Sequence, residues 1–222
     1  MENLPAYLGP LFIVTTVLSI ILFAQATPSR NITMVFLLLW SGLWFVVAET
    51  GFFLETNSMP PRVIFMMGPV VLAMVLFFVT KRGRDFIDRL DLQRLTILHV
   101  VRLPVEIVLM LLAIHNTIPD LLTYEGRNFD IIMGITALPI AWWIFKRNGS
   151  RKILLAWNIL GVILLFNVVI HGVLSIPFPF QQFAFDQPNQ AMLFAPYNLL
   201  PGVIVPIVML SQLAAIRQLI KR

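Results

Sequence analysis

Of 222 residues, 59% are hydrophobic and only 12% charged, with mean hydropathy +0.87, far from the roughly 45–50% apolar and 25% charged usage of a soluble domain. That balance excludes a water-soluble globule and leaves no material for a separate soluble domain. The absence of Cys removes disulfide and thiolate chemistry, and the net charge of +5 lies between apolar runs, where membrane orientation rather than nucleic acid accounts for it.

Seven apolar segments follow in chain order, so the expected fold is all-α: one domain over residues 1–222, a polytopic integral membrane bundle of seven transmembrane helices. The first, 7–24, ends on Phe23-Ala24-Gln25-Ala26-Thr27, which imitates the cleavage site of a secretory leader. The stretch before it carries Glu2 and no Lys or Arg, so it is expected to remain a span. The second, 33–53, carries Trp40, Trp44 and Glu49, and the third, 63–80, has Gly68-Pro69 as its kink. Residues 81–94, KRGRDFIDRLDLQR, mix five basic and three acidic side chains with Phe86, Ile87 and Leu90. They read as an interfacial helix with Arg84/Asp88 and Asp85/Arg89 spaced for i,i+4 pairs.

The fourth span, 96–114, contains His99, Arg102 and Glu106. At about 100° per residue His99 and Glu106 differ by about 20°, and Arg102 lies about 60° from His99, so all three share a face. The fifth stretch, 131–145, is short of the usual minimum of about 17 residues and ends on Trp142, Trp143, Lys146 and Arg147. The sixth, 153–174, holds Asn158, Asn167 and His171. Residues 175–198 are rich in Pro and Phe and are expected in the headgroup layer as a lid. The seventh span is 199–216, with Pro201-Gly202 and Pro206.

With these spans, Arg30, the five basic residues of 81–94, the four of 146–152 and the three at the C-terminus fall on one side, against Arg62 and Arg127 on the other. The positive-inside rule then places the N-terminus outside and the C-terminus in the cytoplasm of a bacterial inner or plasma membrane. The acids mirror the split: Glu2, Glu49, Glu55, Asp120, Glu125, Asp130 and Asp186 gather at the outer end. The sequon Asn31-Ile32-Thr33 lies on the cytoplasmic side and is discarded on that ground.

Two constellations carry chemistry. Arg102 and Glu106 lie near mid-membrane, where a charged residue costs about 2.5–3.5 kcal/mol on insertion scales. They are expected to pair across one turn, and with His99 to line a cavity or proton route. The second set, at the outer mouth, is Glu49, His115, Glu125, Asp130, Asn167 and His171. Carboxylates and imidazoles suit general acid/base work, and a divalent metal such as Zn²⁺ if their ends converge, although no HExxH spacing occurs. The seventh span has no Lys for a retinal Schiff base, and no family resemblance emerges.

The leading expectation is a small membrane transporter or binding protein for a polar or amphiphilic solute, with an outward-opening polar cavity. Arg102 would engage an anionic group, Glu106 and His99 would accept protons, and Glu49 and Asn167 would line the route. The alternative is an intramembrane hydrolase or transferase acting on lipid through His115, His171, Glu125 and Asp130. A third is a membrane subunit of a larger complex. The expected partners are the lipid bilayer and a small-molecule or lipid substrate, with no nucleic acid.

Overall fold

The computed structural model describes residues 4–221; Glu2 and Arg222, counted above among the acids and the basic residues, lie outside them. Among the described residues the regular structure is all helical, without strands. The helices are α1 (Leu8–Ala26), α2 (Arg30–Glu49), α3 (Ile64–Val79), α4 (Lys81–Asp88), α5 (Leu92–Leu98), α6 (Arg102–Ile114), α7 (Ile131–Lys146), α8 (Arg151–Leu174) and α9 (Val205–Lys221).

Five segments are long and apolar enough to cross a membrane: α1, α2, the composite Leu92–Ile114, α8 and Leu200–Lys221. The apolar helix α7 has 16 residues, and α3 is joined to α4 through a bend of 86°. That bend lays α4 across the end of α3. Thr80 caps α4 by accepting from the Gly83 amide at 3.0 Å. A Cβ on Gly83 would lie 2.5 Å from the Phe77 Cα, so this fold-back needs glycine.

Prolines explain two departures from regular helix. Pro104 supplies no amide and its ring crowds the carbonyl four residues earlier, that of Val100. The expected continuous helix 96–114 accordingly tightens into a 3-10 turn at His99–Val101. Pro206 likewise leaves the Gly202 carbonyl without a helical donor. The preceding Leu200–Ile204 opens into a π-turn, and the Trp40 indole donates to the Gly202 carbonyl at 3.0 Å. Pro69 lies inside α3. The second span stops at Glu49, earlier than expected, because Gly51 adopts a left-handed conformation (φ 75°) that ends the helix.

The centre is built from α9 and the α5–α6 composite, 61% and 56% buried against 17% for α2. α1 packs on α2, α5 and α6, α8 packs on α9, and α7 packs on α5 and the 99–101 turn. In α3 the buried residue is Met66. That helix touches mainly α4 and the π-turn.

Contacts gather basic residues at one end. The Asp91 amide donates to the Ala26 carbonyl at 2.9 Å, and Gln218 Nε2 donates to the Ile87 and Leu90 carbonyls at 2.7 and 2.9 Å. Asp88 accepts from Arg217 at 3.0 and 3.2 Å and from Lys221 at 2.7 Å. The expected Arg84/Asp88 pair gives way to these two cations, which α9 carries to the same carboxylate. Their hydrogen bonds hold the Asp88 carboxyl below its ordinary range.

At the other end, hydrogen bonds tie residues 175–198 to the helix ends. The Asn189 amide donates to the Ser175 carbonyl at 2.8 Å, and the Gln190 and Ala191 amides donate to the Thr117 carbonyl at 3.1 Å. Gln187 Nε2 donates to the Ala113 and Ile118 carbonyls, and Phe178 is buried.

Candidate functional site

α6 begins on Arg102 and carries Glu106 one turn later, both nearly inaccessible. The structure gives them separate partners instead of pairing them with each other. Arg102 Nη1 bonds Asp130 Oδ1, and Asn128 Nδ2 donates to Glu106 Oε2 at 2.6 Å. Asn128 also donates to the Leu122 carbonyl at 3.0 Å and accepts from the Asp130 amide at 2.9 Å, so it is the hub. Both partners come from the loop before α7, which folds inward rather than standing in solvent. Gly126 permits that fold, since a Cβ there would lie 2.3 Å from the Asp120 carbonyl oxygen. Asp130 precedes the first residue of α7, where the helix dipole favours a carboxylate. Burial nevertheless raises the Asp130 carboxyl above its ordinary range, against the pull of the Arg102 guanidinium beside it.

His99 is fully buried and packs edge-on against Trp157, ring centroids 5.4 Å apart. Trp157 in turn donates to the Thr136 hydroxyl at 2.9 Å. Both His99 nitrogens, Arg102 Nε and Nη2, and Glu106 Oε1 have no hydrogen-bond partner. Asn158 Oδ1 and both polar atoms of Gln212 share that condition. Gln212 presses on α8 so closely that a Cβ on Gly161 would meet its Nε2 at 1.8 Å.

The condition set for the outer residues, that their ends converge, is not met among the described residues. His171 Nδ1 bonds the Asn167 carbonyl at 2.8 Å and so carries the ring proton, leaving Nε2 to accept from Arg127 Nη1 at 3.4 Å. Asn167 Nδ2 donates to the Arg127 carbonyl at 2.7 Å, and Phe183 covers the His171 ring at 5.0 Å. This triplet centres on Arg127, which the residue pattern did not single out. His115 bonds its own helix at the Leu111 carbonyl, 2.7 Å away, Glu49 and Glu125 are exposed, and Asp130 is drawn inside by Arg102. Among the described residues no three His, Asp or Glu side chains come together as a metal site.

Asn128 and Gln212 were also missed by sequence reasoning. For Asn128 a signal existed: an Asn two residues before Asp130 is placed for an Asx turn onto that residue's amide. Gln212 is an amide inside an apolar run, the kind of intramembrane polar group that calls for a partner.

Three apolar spaces flank α3, and none includes His99, Arg102 or Glu106. An interior cavity of about 80 Å³ lies between α3, α6, α8 and the π-turn, lined by Val63, Met66, Leu109, Gly172 and Met192. Its one polar neighbour is Asn189, whose Oδ1 is buried without a partner while Nδ2 donates to the Gly172 carbonyl at 3.0 Å. A cleft of about 570 Å³ between α3 and α8 shares Val63, Met67 and Val173 with that cavity. A second cleft, of about 440 Å³, separates α2 and α3 over α9.

No curated protein and no solved structure matches the chain. A family model does match, over residues 60–220, which takes in α3 to α9 and every site residue above except Glu49. The chain therefore belongs to the family described as Domain of unknown function (DUF8737).

Proposed function

We propose that this is a multi-pass membrane protein of seven spans, N-terminus outside and C-terminus cytoplasmic, that binds a small amphiphile entering sideways from the bilayer between α3 and α8. The five long apolar helices, the short α7 and the bent α3–α4 pair support the span count, and the basic end supports the orientation. One observation carries the binding function: the interior cavity and the α3–α8 cleft meet at Val63, Met67 and Val173. At about 80 Å³ the cavity has several times the room one water needs, and an apolar lining favours hydrocarbon over water. Asn189 Oδ1 supplies an acceptor at that wall, which selects a head bearing a hydroxyl or amide donor. α3 is suited to yield, since it has one buried residue and Pro69 within it.

The test is ligand-dependent thermal stability of purified protein against a panel of long-chain alcohols and fatty acids. A long-chain alcohol should raise the unfolding midpoint, as any ligand of the folded state does, through a stabilisation of about 2.7 kcal/mol at a hundredfold excess over Kd. Gly172→Leu should abolish the shift, because a Cβ there meets nothing closer than 3.9 Å and a larger side chain would fill the cavity. Stabilisation that persists in Gly172→Leu, or no stabilisation by any chain, refutes the reading.

A second reading, passage of a polar solute or proton along α6, is favoured by the unpaired polar atoms of His99, Arg102 and Glu106, because buried ionisable groups in membranes mark such routes. Replacing Arg102 with Leu and finding uptake into vesicles unchanged would remove it.

A further inference from the structure

The cleft between α2 and α3 has a different character at its basic end. Its lining includes Ile32 and Thr33 from the first turn of α2, Phe77 from the end of α3, and Phe86 from α4. Phe77 and Phe86 stack at 5.2 Å, which fixes α4 across the mouth. Exposed arginines lie about one turn from the lining residues of α2 and α4, and none is borne by α3. Arg30 lies three residues before Thr33, while Arg82 and Arg89 lie four before and three after Phe86. The neighbouring acids are largely committed elsewhere: Asp88 to Arg217 and Lys221, and Asp91 to the amide and side chain of Arg94. Among the described residues, Asp85 is the acid of α4 that is exposed and without a cation.

We propose that this cleft seats one acyl chain of an anionic phospholipid, with the phosphate held at its mouth by Arg30, Arg82 and Arg89. The proposal rests on the membrane reading above but uses a different cleft and different residues from the amphiphile site. Three requirements meet here. The cleft walls are apolar from Trp40 to Phe86 and open to the side, as a chain needs. With α3 as a span, the 86° turn lays α4 along the membrane surface, where headgroups lie. The exposed charge at that level is positive and borne mainly on guanidinium groups, which match phosphate oxygens bidentately. A second copy of this chain would instead need an acidic helix end to complement the arginines, and the acids at the ends of the described helices lie mostly at the opposite pole.

The experiment is native mass spectrometry of the full-length protein, delipidated in detergent and titrated separately with phosphatidylglycerol, phosphatidylcholine of the same chains, and glycerol 3-phosphate. Each arginine near an anionic headgroup is worth about fivefold in affinity. Wild type should therefore bind phosphatidylglycerol at least about tenfold more tightly than phosphatidylcholine and show no adduct with glycerol 3-phosphate. The triple variant Arg30→Gln, Arg82→Gln, Arg89→Gln should bind both lipids alike. Ala73→Trp, which fills the cleft wall, should lose both while still binding the alcohols of the amphiphile site. Equal binding of the two lipids by wild type overturns the proposal without any variant. So do a preference that survives in the triple variant, tight binding of glycerol 3-phosphate, full lipid binding by Ala73→Trp, or dimers in place of lipid adducts.

Discussion

Replacing Asp130 with Ala removes the carboxylate bonded to a guanidinium that is only 4% exposed, in a pair whose acidic side chain is 12% exposed. Breaking a buried pair from one side costs about 3–5 kcal/mol, because the remaining charge keeps its desolvation cost without its partner. The pair as a whole stabilises little, since Arg102 Nε and Nη2 already lack partners. Arg102→Leu should therefore cost less than Asp130→Ala, for the Asp130 carboxyl, already raised by burial, can take a proton and become neutral. The double variant Arg102→Leu, Asp130→Ala should fall within about 1 kcal/mol of wild type, since replacing a buried pair with apolar groups is often neutral or stabilising. Unfolding of all four proteins in one detergent at neutral pH gives the coupling energy from the cycle. A double variant as unstable as Asp130→Ala alone would refute the reasoning. So would an Asp130→Ala protein as stable as wild type.

Three further outcomes follow from local geometry. Gly83→Ala should lower the unfolding midpoint, at a cost of about 1–3 kcal/mol from overpacking against the α3 backbone, whereas Gly42→Ala, with nothing within 4 Å, should leave it unchanged or slightly higher; equal midpoints for the two variants would contradict this. The folded Asp88 carboxyl titrates below its ordinary value of 3.8, so its contribution is present above that value and fades as pH falls through the lowered one. The stability difference between wild type and Asp88→Asn, on the order of 1 kcal/mol or less, should hold from neutral pH to about pH 4 and close below it, and a difference that grows on acidification would be inconsistent. Trp40→Phe strips the Gly202 carbonyl of its donor and should cost about 0.6–1.7 kcal/mol. Pro206→Ala in the same chain should recover most of that loss by restoring a helical amide, and failure to recover would separate the indole bond from the proline.

The long apolar segments were legible because length and hydropathy are local quantities. Segments expected at 7–24 and 153–174 are the helices Leu8–Ala26 and Arg151–Leu174. The partner of Arg102 was not legible. An i,i+4 rule addresses only neighbours on one helix and points to Glu106, whereas Asp130 arrives from 28 residues away because its loop folds inward past Gly126. The outer set failed for a related reason: depth along a helix is readable from sequence, but azimuth after packing is not. Glu49, His115 and His171 were placed near one level on different helices, yet Glu49 is exposed, His115 bonds its own helix, and His171 meets Arg127 rather than the other two. The prolines announced irregularity without its kind, which depended on what stood opposite: a 3-10 turn before Pro104, and a π-turn before Pro206 with Trp40 as donor.

Gly202 touches both α2 and α3, and its substitution tests how α3 is held. Its carbonyl receives Trp40 of α2, and a Cβ on it would lie 2.6 Å from Sδ and 3.2 Å from Cγ of Met66, the buried residue of α3. The middle of that side chain, not its free end, meets the new methyl, and Met66 is held inside the bundle, so the strain passes to the α3 backbone that carries it. Gly202→Ala should therefore push α3 outward and widen the spaces Met66 borders, while the Arg102–Asp130 and Glu106–Asn128 bonds across the bundle stay intact. Hydrogen exchange should rise in residues 64–79 by the equivalent of about 1–3 kcal/mol of lost protection, the usual cost of overpacking, with α6 and α7 unchanged. Met66→Ala in the same chain should restore much of the protection by freeing the space. Exchange that rises equally in α6 would show α3 to be an integral part of the core rather than a loosely held flank, and would remove the basis for entry from the bilayer beside it.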